Sequence, residues 1–399
     1  MKWKKTKLGD ITEVITKGTT PTTIGYNFTD EGINFVKIES IAGDGNFLIE
    51  KMEHISGECN EKMKRSQLKE NDILFSIAGA IGRTAIVDKA ILPANTNQAL
   101  AIIRLNTNQV LPKFLAMCLK SEEVFKQFEK KKQGVAQLNL SLKNIDELEI
   151  TYPDIQEQER ILHILNKSQN IINRRKAQIQ CCDELIKSQF IEMFGDIVSN
   201  TKNWNQEILE NHLQIVGGYA FKSDKFTESG IPVLKIGNIN AGYFKDTNLM
   251  YWEMDGQLKR YEIYPGDLVI SLTGTVGKDD YGNVCIMGDA FPMYYLNQRN
   301  AKLDLKNTLD KYYLTYALKV PGIKLKLTGI SRGVRQANIS NKDIQNLEMP
   351  IPPLELQNEF AQFVKQVDKL KFEMGKSLHE LEDNFNSLMQ RAFNGQLFQ

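Results

Sequence analysis

Two long stretches of the chain carry hydrophobic residues at every seventh position. The first run is Leu165, Ile172, Ile179, Ile186 and Met193, and the second is Phe360, Val367, Met374, Leu381 and Leu388. A repeat of this kind predicts long helices that pair as a coiled coil. Proline opens each stretch, at Pro153 and at Pro352 and Pro353, which is typical of a helix start. We therefore predict helical segments over residues 153–196 and 352–399.

The second core position of each heptad is less apolar in the first helix than in the second. The residues at this position are Ile161, Ser168, Arg175, Cys182 and Gln189 in the first helix, and Val364, Lys371, Leu378, Phe385 and Ala392 in the second. A homodimer of either helix would have a poor seam, because coiled coils need apolar residues at both core positions. The pattern favours pairing of the two helices with each other, together with a further partner helix.

Short apolar runs dominate the remaining sequence. DILFSI (72–77) and DLVISL (267–272) are rich in branched or aromatic residues and predict buried strands. AGAIG (78–82) and TGTVG (273–277) follow them and predict tight turns that need glycine. Helical patterns begin near Pro112 and Leu309. These features predict two compact domains of mixed helix and strand, over residues 1–152 and 197–351.

The chain repeats itself in the same order in its two halves. The matching segments are GINFVKIESI (32–41) and GIPVLKIGNI (230–239), NDILFSIAGAIGR (71–83) and GDLVISLTGTVGK (266–278), Asn97-Gln98 and Asn297-Gln298, and GVAQLNLS (134–141) and GVRQANIS (333–340). The spacing between copies changes little along the chain, so insertions are small. This is a duplication of one long unit and not an array of short repeats.

The overall charge hides two local basic tracts. The chain has 399 residues, 42% hydrophobic and 25% charged, with a net charge of +1. Residues 319–342 contain six basic residues and no acidic one, and residues 126–143 contain five lysines and one glutamate. Each tract runs into its copy of the GVxQxNxS phrase. Clustered Lys and Arg at equivalent places indicate a polyanionic partner more strongly than they indicate a solvated surface.

Motifs of known catalytic chemistry are missing from the sequence. It contains no [DN]PP[YF], GxGxxG, GxSxG or HExxH, and Gly375-Lys376-Ser377 lacks the earlier glycine of a phosphate-binding loop. The four histidines are scattered, and the five cysteines form no CxxC pair. We therefore expect no metal site and reduced thiols in a cytoplasmic protein. No apolar run approaches the ~20 residues of a membrane helix.

Amide and basic side chains are the remaining candidates for binding. Asn and Gln can pair with adenine, Arg can pair with guanine, and Lys and Arg neutralise phosphates. The candidates that the two copies share are Gln137, Asn139, Gln336 and Asn338, with Lys131, Lys132, Lys324, Lys326 and Arg332 in the basic tracts. Shared amides could instead hold the scaffold by bonding loop backbone.

Positions that differ between the copies are better candidates for specificity, because two readers of different bases should differ where they read. In the second copy these positions hold Lys222, Asn238, Asn240, Lys278, Arg299 and Arg335. In the first copy the corresponding residues are Thr22, Ser40, Ala42, Arg83, Ala99 and Ala136.

The ordered set of motifs resembles the specificity subunit of a type I restriction-modification system. The resemblance covers nearly the whole chain and includes Trp3, Leu8-Gly9-Asp10, the four pairs of matching segments above and IQEQERI (155–161) before a long helix. The second copy departs from the pattern, with Leu209-Glu210-Asn211 and with Glu355-Leu356 in place of Gln156-Glu157.

The resemblance implies two target recognition domains and two helical spacers that form an antiparallel coiled coil. Each domain would read one half of a split site in double-stranded DNA, and the coiled coil would set the gap. Two methyltransferase subunits would dock on the helices, and motor-nuclease subunits would join them. S-adenosylmethionine, ATP and Mg²⁺ would bind those partners, and this chain would be non-catalytic.

Two other hypotheses remain open from the residues alone. One is a protein-assembly scaffold whose two basic domains dock an acidic protein. The other is an enzyme with its own methyltransferase or nuclease site, which the missing motifs disfavour.

Overall fold

Two compact units make up the computed structural model, which describes residues 3–130, 140–329 and 336–398, with only the backbone of Lys130 and Gln336. Unit 1 consists of Met1–Lys176 and Ser377–Gln399, and unit 2 is Ala177–Lys376. This division differs from the linear domains predicted above, because each unit contains a globular domain and parts of both long helices.

The strands of unit 1 form small, mostly antiparallel sheets. They are β1 (Lys4–Lys7), β2 (Thr12–Lys17), β3 (Ile33–Val36), β4 (Glu53–Ile55), β5 (Ile73–Ser76), β6 (Thr84–Ile86), β7 (Ala94–Thr96), β8 (Leu100–Leu105) and β9 (Glu149–Tyr152). One sheet has the order β2-β8-β5-β6, a second has the order β4-β3-β7, and β1 pairs with β9. Only the β3–β7 pairing among these is parallel.

Short helices cover the sheets of unit 1, and the first long helix follows them. They are α1 (Gly57–Lys62), α2 (Pro112–Cys118), α3 (Glu122–Lys130), α4 (Leu142–Asp146) and the long α5 (Ile155–Phe194). Phe75 from β5 and Phe114 from α2 belong to one buried cluster, which the long helices join through Leu165 and Ala392. The predicted strand in DILFSI and the predicted helix near Pro112 are confirmed.

Within the described residues, unit 2 repeats the nine strands of unit 1 and has three more. Its strands are β10 (Gln206–Ile208), β11 (Leu213–Gly217), β12 (Ile231–Leu234), β13 (Met250–Trp252), β14 (Glu262–Ile263), β15 (Leu268–Ser271), β16 (Thr273–Thr275), β17 (Val284–Ile286), β18 (Tyr294–Leu296), β19 (Asn300–Leu305), β20 (Gln336–Asn338) and β21 (Glu348–Pro350). The sheets have the orders β11-β19-β15-β17, β13-β12-β18-β14, β10-β21 and β16-β20. The three additional strands are β14, β16 and β20. The duplication seen in the sequence is therefore a duplication of topology.

The helices of unit 2 are α6 (Ile236–Ile239), α7 (Lys311–Lys319), α8 (Pro321–Thr328), α9 (Asn341–Gln345) and the long α10 (Leu354–Phe393). An aromatic cluster joins α5, α7 and α10 in its core. The ring of Phe194 lies 4.8 Å from that of Tyr313 and 5.4 Å from that of Phe360. The Tyr313 hydroxyl donates to the carbonyl of Pro350 at 2.7 Å, so this buried polar group is satisfied.

The long helices run antiparallel within each unit. In unit 2, Lys371 of α10 donates to Asp183 of α5 at 2.5 Å, while Phe360 packs against Phe194 further along α5. In unit 1, Lys176 and Glu382 form an ion pair at 2.7 Å.

The heptad positions of these helices are buried to different degrees. Leu165, Ile172, Ile186, Phe360 and Val367 are buried. Ile179, Met193, Met374, Leu381 and Leu388 are half-buried. Part of the predicted seam packs against the globular domains, since Ile186 and Phe360 belong to the core cluster of unit 2.

Candidate nucleic-acid interface

The segments that the sequence repeats meet at one place in each unit. In unit 2, the N–H of Leu272, just after β15, donates to the carbonyl of Arg299 at 2.9 Å, and the Leu272 carbonyl accepts from Ile339 at 2.8 Å. In unit 1, the N–H of Ile77 donates to Ala99 at 2.9 Å, and its carbonyl accepts from Leu140 at 2.9 Å. The strand end, the Asn-Gln turn and the repeated phrase are thus joined in the same way twice.

The Asn-Gln turn owes its shape to the asparagine. Asn97 Oδ1 accepts from the N–H of Ala99 at 3.0 Å, and Asn297 Oδ1 accepts from the N–H of Arg299 at 3.2 Å. Asparagine commonly stabilises a turn by bonding its backbone two residues on. The following Gln98 and Gln298 are exposed. The first amide of each pair therefore holds the scaffold, and the second faces solvent.

A glycine lets the chain pass close to this turn in each unit. A Cβ at Gly18 would lie 1.6 Å from the carbonyl oxygen of Thr96, and a Cβ at Gly218 would lie 2.1 Å from that of Asn297. No side chain fits such a gap without moving backbone. Both glycines recur at matching places, a signal that the sequence analysis did not use.

A polar cleft opens at this junction in unit 2. Two adjoining cavities of about 330 and 420 Å³ share Ile236 and Arg299. Their polar lining comes from three connecting loops, from α6 and from β16, and comprises Lys235, Asn238, Asn240, Thr247, Asn248, Thr273, Thr275, Asp280, Asn297, Gln298 and Arg299. Amide, hydroxyl and cationic groups on loops at strand ends form a surface that can donate to and accept from base edges and phosphates.

Asp280 is the acidic residue of this lining, and its carboxylate is already engaged. It accepts from the N–H of Thr275 at 2.8 Å and from the Thr275 hydroxyl at 3.0 Å. The two cations of the lining, Lys235 and Arg299, form no ion pair within 4.0 Å in the part of the chain that the structure describes. The cleft is therefore suited to an anionic or hydrogen-bond-accepting ligand.

The connection after the central strand is longer in unit 2. Residues 77–83 join β5 to β6, whereas residues 272–283 join β15 to β17. The extra length forms β16, which pairs antiparallel with β20, and a turn in which the N–H of Lys278 donates to Thr275 at 3.0 Å. Gly277 occupies this turn at φ 80°, a conformation that favours glycine. Part of the predicted TGTVG turn is therefore strand.

A model of the type I restriction modification DNA specificity domain matches residues 1–180 and again residues 201–383. The chain belongs to this family. It is a DNA-recognition subunit of a type I restriction-modification system.

Similar proteins support the same assignment over most of the chain. The MjaVIII type I restriction enzyme specificity subunit of Methanocaldococcus jannaschii is 25% identical, over 83% of this chain and 80% of its own. A solved chain from a study of complex assembly in a type I system has 19% identity and a TM-score of 0.63, with 99% and 98% covered. The S subunit of M. genitalium has 16% identity and a TM-score of 0.50, with 98% and 96% covered. These two solved structures have the same fold as this chain.

Two of the residues predicted from the sequence to contact DNA bind other residues of the protein instead. Asn238 is buried; its Oδ1 accepts from the N–H of Lys235 at 3.0 Å, and its Nδ2 donates to Lys245 at 3.0 Å and Thr247 at 3.1 Å. Lys324 is largely buried, contacts the Asp279 carboxylate and donates to Asn283 Oδ1 at 2.5 Å. These contacts assign both side chains to the framework, so the specificity expected of Asn238 does not follow from its divergence.

The residue equivalent to Asn238 in unit 1 shows why divergence misled. Ser40 is also buried, and its hydroxyl accepts from the N–H of Lys37 at 3.2 Å and donates to Lys51 at 2.9 Å. In both copies this buried side chain hydrogen-bonds backbone N–H and carbonyl groups, although it is a serine in one and an asparagine in the other.

The sequence alignment of the central loop also needs correction. Arg83 aligned with Lys278, but Arg83 N–H bonds Ser76 Oγ at 2.8 Å as Asn283 N–H bonds Ser271 Oγ at 3.1 Å. Arg83 is therefore equivalent to Asn283, and its guanidinium bonds the carbonyls of Ile38 and Ile41 at 3.0 and 2.7 Å.

The other nominated residues comprise the half-buried Asn240, which lines the cleft, five exposed side chains and residues without a description. Lys222, Lys278, Arg299, Lys326 and Asn338 are exposed, and their contact with DNA stays a prediction. Lys131, Lys132, Gln137, Asn139, Arg332 and Arg335 lie outside the described residues, as does the side chain of Gln336.

Two buried glutamines were missed by sequence reasoning. Gln158 of α5 accepts from the N–H of Leu111, the N-cap of α2, at 2.9 Å, and Gln357 of α10 accepts from Asp310, the N-cap of α7, at 2.8 Å. Both are fully buried. They join each long helix to its globular domain, and their matching positions within IQEQERI and LELQNEF were the available signal.

The described residues hold no cluster of His, Cys, Asp or Glu suited to a metal ion. Within the same residues, no helix is long and apolar enough to cross a membrane. The five cysteines are free thiols, and burial raises the pKa of Cys118 to about 12 and that of Cys285 to about 11.

Proposed function

We propose that this chain directs a cytoplasmic type I restriction-modification complex to a bipartite DNA site, unit 1 reading one half-site and unit 2 the other. The observation that carries the proposal is the duplicated junction of repeated loops, which the same hydrogen bonds hold in both units, although Ala99 stands in unit 1 where Arg299 stands in unit 2. A shared set of framework bonds with different side chains at the same position suits two half-sites of different sequence.

Exposed cations of unit 2 would position it on the phosphate backbone. Lys222, Lys278 and Lys326 are exposed, and Lys278 lies in the turn within the connection between β15 and β17. Cations that neutralise phosphates release counterions, so each such contact steepens the salt dependence of binding by about one unit. Lys278→Ala should therefore weaken DNA binding about equally for all sequences and flatten this slope.

The long helices would separate the half-sites and dock the partner subunits. Each has 40 residues, about 60 Å at 1.5 Å per residue. Large apolar side chains on them are exposed, notably Ile191 at 62% and Phe372 at 63%. Exposed apolar residues of this size on a helix favour a protein partner. Two methyltransferase subunits would bind there and motor-nuclease subunits would join them.

The chemistry of the complex would belong to those partners. They would bind S-adenosylmethionine, ATP and Mg²⁺, and the methyltransferase would extrude its target base from the duplex. This chain would contribute recognition and assembly without a catalytic residue of its own.

Methylation mapping tests the proposal. A host without its own methylation would express the cognate methyltransferase with and without this chain, and long-read sequencing would locate modified bases. We expect a split, asymmetric motif only in the presence of this chain. If both proteins are soluble and associated but no new motif is found, the chain is a protein-assembly scaffold and the proposal is wrong.

Robust methyl transfer by the purified chain alone would also contradict the proposal. The substrates of that control are DNA and S-adenosylmethionine.

A further inference from the structure

Arg299 is fixed at its backbone and unengaged at its guanidinium. Its N–H donates to Asn297 Oδ1 at 3.2 Å, and its carbonyl accepts from Leu272 at 2.9 Å. The side chain is exposed and lines both cavities of the unit 2 cleft. Among the described residues, its guanidinium has neither a salt bridge nor a hydrogen bond. The guanidinium is therefore available to a ligand that enters the cleft, while its backbone is held in place.

Two other arginines of the globular domains are held by contacts within the protein. Arg104 binds Asp72 through two bonds of 2.7 and 2.6 Å, and Arg83 bonds two backbone carbonyls. These guanidinium groups hold the fold of unit 1. Arg65 and Arg260 are exposed, and among the described residues their guanidinium groups form no salt bridge or hydrogen bond, but neither residue lines the cleft. The position of Arg299 in the cleft therefore distinguishes it from the other described arginines.

The equivalent position of unit 1 is Ala99. Its backbone makes the same two bonds, to Asn97 Oδ1 at 3.0 Å and from the N–H of Ile77 at 2.9 Å. The hydrogen bonds that hold this turn therefore do not depend on the side chain at position 99 or 299. In the same turn of unit 1, Gln98 accepts from the Thr20 hydroxyl at 2.6 Å.

We propose that Arg299 reads a guanine in the half-site bound by unit 2, donating two hydrogen bonds to O6 and N7. The inference rests on the proposed function. Guanine is the base whose major-groove edge offers two adjacent acceptors that match a guanidinium. The neighbouring Asn240, Thr275 and Gln298 add donors and acceptors for the flanking bases, while both carboxylate oxygens of Asp280 already accept hydrogen bonds from Thr275. Unit 1 has no such reader at Ala99.

The test is methylation mapping with Arg299→Ala and Arg299→Lys beside the wild-type chain. We expect a guanine at one position of the unit 2 half-site in the wild-type motif. With R299A, that position should accept other bases, and the preference for guanine should fall by about tenfold or more. R299K should retain part of the preference for guanine, less than wild type and more than R299A, because lysine keeps the charge and can donate to guanine but lacks the planar pair of donors.

Two controls give the result its meaning. Lys64→Ala removes an exposed cation of unit 1, whose side chain is 73% exposed, and should leave the unit 2 half-site unchanged. The half-site of unit 1 should be unchanged in every Arg299 variant. Circular dichroism of each variant should match wild type, because Arg299 is exposed.

The outcomes separate this inference from the proposed function. If the wild-type chain gives no split motif, the proposed function itself is wrong. If wild type gives a split motif but R299A leaves every position of the unit 2 half-site as strict as before, Arg299 is not a base reader. A unit 2 half-site without any G·C pair would overturn the inference equally.

Discussion

Replacing Gln158 by methionine should loosen the attachment of α5 to the globular domain of unit 1. The fully buried amide makes three bonds: Oε1 accepts from Leu111 N–H at 2.9 Å, and Nε2 donates to the carbonyls of Gln109 at 2.7 Å and Pro153 at 2.9 Å. Methionine has nearly the same length, so the cost comes from the polar groups left behind rather than from a cavity.

The size of the effect follows from those groups. A buried group left without its partner costs about 1–3 kcal/mol. Taking the low end for each of the three, the loss is about 3 kcal/mol, which corresponds to an opening equilibrium raised about 100-fold at 1.4 kcal/mol per factor of ten. Gln357→Met should cost less, about 2 kcal/mol, because its bond to the Thr308 carbonyl is long at 3.5 Å.

Hydrogen exchange followed by mass spectrometry measures both variants in the full chain. In Gln158→Met, peptides that cover residues 106–118 and 155–176 should exchange about 100-fold faster. Peptides of unit 2 should not change. Gln169→Met is the matched control on the same helix, because the side-chain bond described for Gln169 is an exposed one, to Asn173 at 3.0 Å. Exchange within threefold of wild type in Gln158→Met, or equal loosening of unit 2, would refute the reasoning.

Three further predictions concern the framework. Arg104→Met should lower the free energy of unfolding of unit 1 by about 3 kcal/mol, because it leaves the buried Asp72 carboxylate without its ion pair. Urea unfolding followed by hydrogen exchange in peptides of unit 1 measures this change. A decrease in the free energy of unfolding of less than about 1 kcal/mol would contradict the prediction. A double-mutant cycle of Asp183→Ala and Lys371→Ala should give a coupling below about 1 kcal/mol, because both side chains are partly exposed; a larger coupling would mean that this pair controls helix pairing. Buried Cys118 and Cys285 keep their protons above the ordinary thiol pKa of 9.0, so stability should fall as pH rises from about 9 through about 11. Chemical denaturation across that range should show a flatter slope in a Cys118→Ala, Cys285→Ala variant, and an unchanged slope would exclude the thiols as the cause.

Much of the fold could be predicted from the sequence because it depends on periodicity and repetition. The long helices α5 and α10 follow directly from the heptad spacing of apolar residues. The buried strands β5 in unit 1 and β15 in unit 2 follow from their apolar runs. The prolines before each long helix marked its start to within two residues. The division into compact units was not predictable in this way, since it depends on which parts of α5 and α10 pack with each globular domain.

The candidate site was less predictable, and the reasons are specific. Asn238 and Ser40 differ in the sequence yet fill one framework role, because a hydroxyl and an amide can both satisfy the same backbone groups. Arg83 aligned with Lys278 because both end a glycine turn, although the unit 2 loop is longer and Asn283 is the true equivalent. Identity and difference in sequence therefore do not by themselves separate framework from reader. The partners of each side chain do.

The duplicated frame explains how one fold can serve two readings. The bonds that define the junction use backbone atoms of Ile77 and Leu272 and the side chains of Asn97 and Asn297, and none of them involves the side chain at position 99 or 299. Substitution there can change what the cleft presents without a stability cost to the frame. The glycines at Gly18 and Gly218 are the opposite case, since any side chain would displace backbone. Variation in base preference should therefore be tolerated at the exposed end of the Asn-Gln turn and in the β15–β17 connection, while changes at the asparagine or the glycine should disable a whole half-site.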